Sequence, residues 1–482
     1  MKICWYFDQT QTRLFYRLAM ALKECYGVSE HSGYVVGVKW YRYLVERGFR
    51  PERLVLISDA WEQRLDRPPD LDYLREMEAT YGVPNLGLMI DTDRTLRHLP
   101  YNEALGAAEQ YFRQVIDFFD RVKPDVVVMG DLASLPPYIM QRIARARGIE
   151  FLSIVYGRQA HRVAVVSNTE GRWEAFEAAY RDLAHRAMTA EERSEAEAYL
   201  EKFIHSPPDV SVVHRPELYR FRFSVDWRRL GRYLKEHYFI GRRRDFYEPS
   251  LLDYIAIRFR RFWRFCSIRL ERTFEAPLPG EPYVYYPLHY QPEASTLVRG
   301  PYFVNQPYVV EAIAKSLPAG IRLYVKEHIR GVGGRKLGDY RAIRQNPAVR
   351  LIDPMVDARE ILEGAQAVVT VTGTAGWEAL LLGKPVLVLG NVFYQEVEGV
   401  TKVGDLRELP KLIQEALARP LLPKDQRLRL VATYLRATHP GEIFAPKGEP
   451  FLDQVNVERL TSLLARELAL AEPVSGSRAR EG

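Results

Sequence analysis

The sequence predicts an α/β protein of two doubly wound, Rossmann-type domains facing a cleft, with a helical insertion between them. Three observations predict it. Strand and helix patterns alternate through residues 1–172 and again after residue 282, a rhythm that reads as parallel sheet covered on both faces. Between these runs the rhythm gives way to charged sequence and then to Arg- and aromatic-rich sequence. The length of 482 residues exceeds one core of ordinary size.

In the first domain, residues 2–7 read as a strand that ends in the polar turn Asp8-Gln9-Thr10. A helix follows over 14–24. The stretch EHSGYVVG, 30–37, reads as a loop leading into a helix with Trp40 to Arg47. Leu54 to Ile57 is the second strand, and residues 62–100 are polar and dotted with proline. A long amphipathic helix spans 102–122. Val126 to Met129 is the clearest strand of this half, followed by Gly130-Asp131, a helix over 136–147 and a strand over 151–155.

Residues 173–203 are a charged helical stretch rich in Ala and Glu. Residues 242–272 hold nine arginines, with Phe and Trp at helical spacing. Such a helix either rests on an anionic membrane or packs on the protein with its arginines in water. The segment APLPGEP, 276–282, is a Pro/Gly linker and a domain boundary. After it come a strand over 284–287, a helix over 306–316, a strand over 321–326, a helix over 337–345 and a strand over 349–352. A short helix over 357–363 leads into QAVVTVTGTAGWEALLLGKPVLVLGNVFY, 366–394. The expected organisation is therefore an N-terminal domain over 1–172, an insertion over 173–275, and a second Rossmann-like domain over 276–435. A helical segment over 436–471 and a disordered tail over 472–482 complete it.

Composition narrows the function. The hydrophobic share of 47% and charged share of 27% are those of a globular protein. A net charge of +6 suits an anionic ligand or membrane surface and does not call for nucleic acid. Cys4, Cys25 and Cys266 are far apart and odd in number, which fits a reducing, cytoplasmic compartment and no disulfide framework. The N-terminus turns polar after seven residues and reads as a first strand, not a signal peptide. No apolar run reaches the roughly 18 residues that span a bilayer. No Walker A, HExxH, GxSxG or GxGxxG motif occurs. No carboxylate cluster suggests a metal, and no cofactor is expected.

Chemistry is expected where strands end. In 366–394 a buried strand meets Thr372, Gly373, Thr374, Ala375 and Gly376, and then a helix. Small residues let an anion come close, and free N–H groups at a helix start attract it. Glu378 falls in the first helical turn, near where a ribose would lie. The plain alternative is an αβ unit whose glycines serve packing. Lys326 and His328 end another strand, expected to neighbour the Gly/Thr turn, and suit a phosphate. The alternatives are a surface charge and a loop histidine. A third cluster, Pro287, His289, Gln291, Glu293, Ser295 and Thr296, follows the domain's first strand. A carboxylate there acts as base or nucleophile, or merely caps a helix. In the first domain, Asp8, His31, Asp59 and Asp131 are expected to end or follow strands toward the same cleft, as ligands or as caps.

Three motifs, YYPLHYQPEAST (285–296), YVKEH (324–328) and VTGTAGWEALLLGKPVLVLGNVFY (371–394), together resemble the capsule polysaccharide biosynthesis proteins. These are GT-B-type glycosyltransferases related to bacterial Kdo transferases. Of the family's Gln-x-Asp-x-x-x-Asn motif, Gln291 is matched, Glu293 stands at the Asp position and Leu297 at the Asn position. His328 matches the His of a His-Pro motif, with Ile329 in place of Pro.

The resemblance implies a metal-independent GT-B enzyme in cell-surface polysaccharide or glycolipid synthesis, at the inner face of the membrane. Its substrate would be a nucleotide sugar, CMP-linked and acidic in members of known activity. Glu293 and His328 would be catalytic. Gln291, Lys326, His328, Thr372, Gly373, Thr374, Gly376 and Glu378 would hold the donor, and the first domain the polysaccharide or glycolipid acceptor. Residues 242–272 are the candidate membrane contact. Two alternatives stay open: a nucleotide-sugar epimerase or hydrolase on the same fold, and a non-catalytic binding protein of polysaccharide export.

Overall fold

A computed structural model describes residues 1–9, 11–62, 67–83, 85–131, 134–159, 161–168, 170–205, 231, 251–291, 293–443 and 450–471. The expected tail over 472–482 and most of 206–250 lie outside them. The described residues within Met1–Thr169 and Ala437–Gly482 form one compact unit. Those within Glu170–Arg242 and Pro249–Arg436 form a second.

The first unit is organised by β1 (Lys2–Phe7), β2 (Glu30–Val35), β3 (Leu54–Leu56), β4 (Val126–Met129), β5 (Glu150–Tyr156) and β6 (Arg162–Val166). From one edge the order is β3, β2, β1, β4, β5, β6, closed by the two-residue strand His439–Pro440. β1 to β5 pair in parallel. β6 runs antiparallel to both its neighbours, so the sheet is mixed at one edge, not wholly parallel as the βαβ rhythm implied. The turn between β5 and β6 places Arg158 and His161 at positive φ, which folds the chain straight back.

The expected loop over 30–37 is β2. Its polar start, Glu30 and His31, hides a strand whose remaining residues are buried beside β1. Gly33 belongs there because a Cβ would meet the Phe7 ring at 2.5 Å. Both faces of the sheet are covered, as parallel strands require. Tyr111, Phe112 and Phe118 of helix Tyr101–Val122 pack on one side. Phe15 and Leu18 of helix Gln11–Tyr26 pack on the other, with Leu460 and Leu464 of helix Gln454–Glu467. The last described helix thus completes the core of the first unit. Asn456 secures it by donating to Glu442 O and Phe451 O, each at 2.8 Å.

The second unit has a six-stranded parallel sheet of β7 (Tyr283–Pro287), β8 (Arg322–Lys326), β9 (Val349–Ile352), β10 (Ala367–Thr370), β11 (Val386–Val388) and β12 (Val400–Lys402). The order is β12, β11, β10, β7, β8, β9. The sheet grows outward from β7 in one direction and then in the other. The β7/β10 border is therefore its topological switch point, where open α/β sheets leave a crevice at the carboxyl ends. This corrects one expectation: β8, which ends in Lys326, does not neighbour β10, because β7 lies between them.

Helices Glu174–His185 and Ala190–His205 belong to this second unit. Trp173 stacks on Phe393 at 3.9 Å, and Phe176 meets Trp377 and Phe393 edge-on. Helix Leu251–Leu270 buries Phe265 and Ile268 in the same unit. Among the described residues, no helix is long and apolar enough to cross a membrane.

Candidate functional site

The β7/β10 crevice is built by two strand ends and the loops they release. β10 ends at Thr370, whose Oγ1 accepts the Gly373 N–H at 3.0 Å and bends the chain into helix Thr374–Leu381. Gly373 is the N-cap and has no side chain with which to cap. The first amides of that helix are thus left to an outside acceptor, the arrangement that favours anions. Tyr394 fixes the turn from behind by donating to Gly373 O at 2.7 Å. Gly376 is required by that contact, because a Cβ there would collide with the Tyr394 hydroxyl.

The helix begins at Thr374, earlier than the apolar spacing indicates. Thr374 and Gly376 therefore lie inside it, and Glu378 falls in its second turn, not its first. The half-buried Glu378 carboxyl is pushed up, chiefly by burial, while Arg359 pulls it back.

β7 ends at Pro287 and delivers His289 to the same turn. His289 Nε2 accepts the Thr372 N–H at 3.1 Å, and Thr372 Oγ1 donates to Ser295 O at 2.7 Å. Because Nε2 accepts, the neutral imidazole carries its proton on Nδ1. Glu293 stands just ahead of Ser295. Its carbonyl accepts from Leu297 N at 2.9 Å, which starts the short helix Ala294–Leu297. Its Oε2 accepts from Ser295 Oγ at 3.3 Å. Glu293 thus opens this short helix through its backbone carbonyl, and the residue is half-buried beside the crevice. Gln291 donates from Nε2 to Val304 O at 2.8 Å, holding the loop against the chain beyond it.

β8 contributes differently from the sequence expectation. Lys326 is buried and its Nζ donates to Pro354 O at 3.1 Å, past the end of β9 and on the far side of β8 from the crevice. Burial lowers its pKa, opposed by Asp357, Asp353 and Glu327. His328 sets its ring 5.8 Å from that of Tyr290, next to His289.

Glu327, between these two, is fully buried and accepts from Arg335 Nε at 2.6 Å and Tyr340 OH at 2.8 Å. Arg335 also donates to His289 O at 3.0 Å. A continuous polar path thus runs from Glu327 through Arg335 and His289 to Thr372, tying the β8, β7 and β10 loops together. Breaking such a buried pair costs about 3–5 kcal/mol.

The structure brings together His289, Glu293, Ser295, Thr372, Gly373 and Thr374, with His328 at one side through Tyr290. It does not bring Lys326 there. Sequence reasoning grouped His289 with its neighbours without assigning it a role, and missed Arg335 and Tyr394. Their signal is weak: an Arg after a glycine run and a Tyr eighteen residues beyond Gly376 have no period that links them to the turn. Lys402 was also missed. Its Nζ donates to Asn391 Oδ1 at 3.0 Å beyond β11, and burial lowers its pKa to about 8.

In the first unit, Asp8 and Asp131 follow the adjacent strands β1 and β4 at their carboxyl ends. Burial raises Asp8 to about 6, countered by Arg94. Asp59 lies in the first turn of helix Ile57–Glu62. His31 corrects the expectation: it pairs with Ile3 near the amino end of β2, away from the carboxyl ends, and accepts Trp5 Nε1–H at 3.1 Å. Among the described residues, no three His, Cys, Asp or Glu side chains gather as a metal site.

Comparison with known proteins bears out the resemblance. Residues 305–436 match the profile of a family described as capsule polysaccharide biosynthesis protein. The match includes YVKEH and the Gly/Thr turn, while the 285–296 motif lies ahead of it. No curated protein matches the chain.

Among solved structures, Thermosulfurimonas dismutans KpsC, a β-Kdo 2,7 transferase, is 14% identical. The match covers 74% of this chain and 89% of that one, with a TM-score of 0.37. The β-Kdo 2,4 transferase of the same organism's KpsC is 16% identical over 66% of this chain and 82% of that one, TM-score 0.36. A UDP-GlcNAc 2-epimerase from Neisseria meningitidis, bound to UDP-GlcNAc, is 11% identical over 97% and 100%, TM-score 0.30.

Proposed function

We propose that the chain is a metal-independent glycosyltransferase that moves a sugar from a nucleotide donor to a cell-surface polysaccharide or glycolipid, at the inner face of a membrane. The observation that carries this reading is the uncapped start of helix Thr374–Leu381 at the switch point of the second sheet, with His289 holding Thr372 in place. In this reading the donor phosphates meet the amides that follow Gly373. His328 approaches from the β8 loop, Glu378 lies toward the ribose, and Gln291 and Lys326 hold the surrounding loops. The family resemblance supports a CMP-linked acidic sugar, and it assigns the acceptor to the first unit.

The chemistry is a displacement at the anomeric carbon. An acceptor hydroxyl forms the new C–O bond and gives its proton to the Glu293 carboxylate. The bond to the phosphate oxygen breaks, and the charge that grows on the leaving nucleotide is stabilised by the helix amides and His328.

A Glu293→Gln variant should lose on the order of 10²-fold or more in transfer rate while still binding nucleotide. Full transfer activity in that variant removes Glu293 from the mechanism. A thermal-shift screen with CMP, UDP, GDP and dTDP identifies the donor base, because the nucleotide that binds raises apparent stability. Donor consumed without acceptor would point to an epimerase or hydrolase. Failure to bind any of the four would point to a non-catalytic role.

A further inference from the structure

Helix Leu251–Leu270 has two apolar faces. One is buried, through Phe265 and Ile268. The other consists of Leu252, Ile255, Phe259, Trp263, Cys266 and Leu270, spaced by three or four residues so that they form one stripe. All six are exposed; Leu252 is 78%, Phe259 57%, Trp263 65% and Leu270 86% accessible. A helix packed only on its own protein puts its apolar side inward and its polar side outward. Here an apolar stripe about 27 Å long, at 1.5 Å per residue, stands in the outward direction.

Charge selects the occupant. By helical spacing, Arg260 and Arg264 flank the stripe on one side and Arg258 and Arg269 on the other, with Arg272 just beyond the helix end. Arg264 donates from its guanidinium to Gly334 O, so its head is held by the protein and the exposed Arg260 carries the charge on that side. Glu271, the acid nearest the helix end, is taken by Arg341, which leaves it bound within the protein. Two copies of the chain placed stripe to stripe would oppose arginine with arginine. An anionic bilayer instead accepts the aliphatic and aromatic side chains into its headgroup boundary and pairs the guanidinium groups with lipid phosphates.

We infer that the outward stripe of helix Leu251–Leu270 is a docking surface for an anionic lipid bilayer, with Phe259 and Trp263 inserted and the exposed Arg260 beside them on lipid phosphate. The helix lies along the membrane and does not span it, since its arginines are distributed through its length. This surface deepens the proposed function by naming which face meets the membrane. Its physical basis does not rest on the transferase reading.

The test is flotation of the full-length protein with vesicles of phosphatidylglycerol and phosphatidylcholine, compared with vesicles of phosphatidylcholine alone, without any sugar donor. Wild type should float with the anionic vesicles and be released by high salt. A Phe259→Ser/Trp263→Ser double variant should lose at least tenfold in vesicle affinity with an unchanged Tm, because both side chains are exposed. An Arg260→Glu variant should lose binding to anionic vesicles selectively. Wild type that fails to float overturns the inference, as does a double variant that binds as wild type does. A concentration-dependent dimer abolished by the double variant, without vesicle binding, would assign the stripe to a second copy and also overturn it. Failure here leaves the nucleotide-binding screen untouched, so the two readings fail separately.

Discussion

His289 Nε2 accepts the backbone N–H of Thr372 at 3.1 Å, joining the loop after β7 to the turn after β10. The bond spans 83 residues of sequence and lies at the switch point of the sheet. It removes one amide from the turn's set of donors, as Thr370 Oγ1 removes the next by accepting the Gly373 N–H.

His289→Ala takes away this acceptor and leaves the buried Thr372 N–H unpaired. The expected cost is about 1–3 kcal/mol of stability, read by denaturant unfolding. Nucleotide affinity, read by calorimetry, should fall about tenfold or more as the turn loosens. Unchanged affinity would show that the turn is positioned without His289.

Gly376→Ala places a methyl group against the Tyr394 hydroxyl. Overpacking of this kind costs about 1–3 kcal/mol. Tyr394→Phe in the same chain removes the colliding oxygen together with its bond to Gly373 O. The double variant should therefore recover part of the loss, and a double-variant cycle on urea midpoints measures the coupling.

Asp8 is pushed up to about 6 in the folded first unit by desolvation, against an ordinary value of 3.8. A raised carboxyl destabilises the fold where the unfolded chain is ionised and the folded one resists ionisation. The cost is absent below pH 3.8, grows between pH 3.8 and 6, and is complete above 6. Asp8→Asn should therefore stabilise the protein at pH 7, by up to ~3 kcal/mol, and leave stability at pH 3 unchanged. Unfolding curves at the two pH values check the sign.

Much of the layout was legible because it is local. The alternation of apolar runs with helical spacing located nine of the twelve labelled strands, and the Thr372–Gly376 stretch stood out by its small residues between a strand and a helix; β12 was missed because its three residues, Val400-Thr401-Lys402, hold a single apolar side chain. β2 was missed because Glu30 and His31 look like loop residues until β1 pairs with them. β6 was missed because the turn before it uses Arg158 and His161 at positive φ, where glycine would have announced it. In the site, Glu327 stood in a quoted motif without a role. Its meaning depends on Arg335 and Tyr340, which reach it only through folding.

By itself the sequence determined that two blocks of alternating strand and helix exist, where their strands end, and that one strand end carries a Gly/Thr turn. These follow from periodicity and from residue size, both properties of neighbouring positions. Tertiary structure alone decided that β7 separates β8 from β10. That order sends Lys326 to Pro354 and gives the Gly/Thr turn to His289. It also decided that helix Gln454–Glu467 closes the first unit and that the arginine-rich helix presents an apolar stripe outward. Strand order and face burial are set by which distant surfaces exclude water together, and no local pattern records that choice.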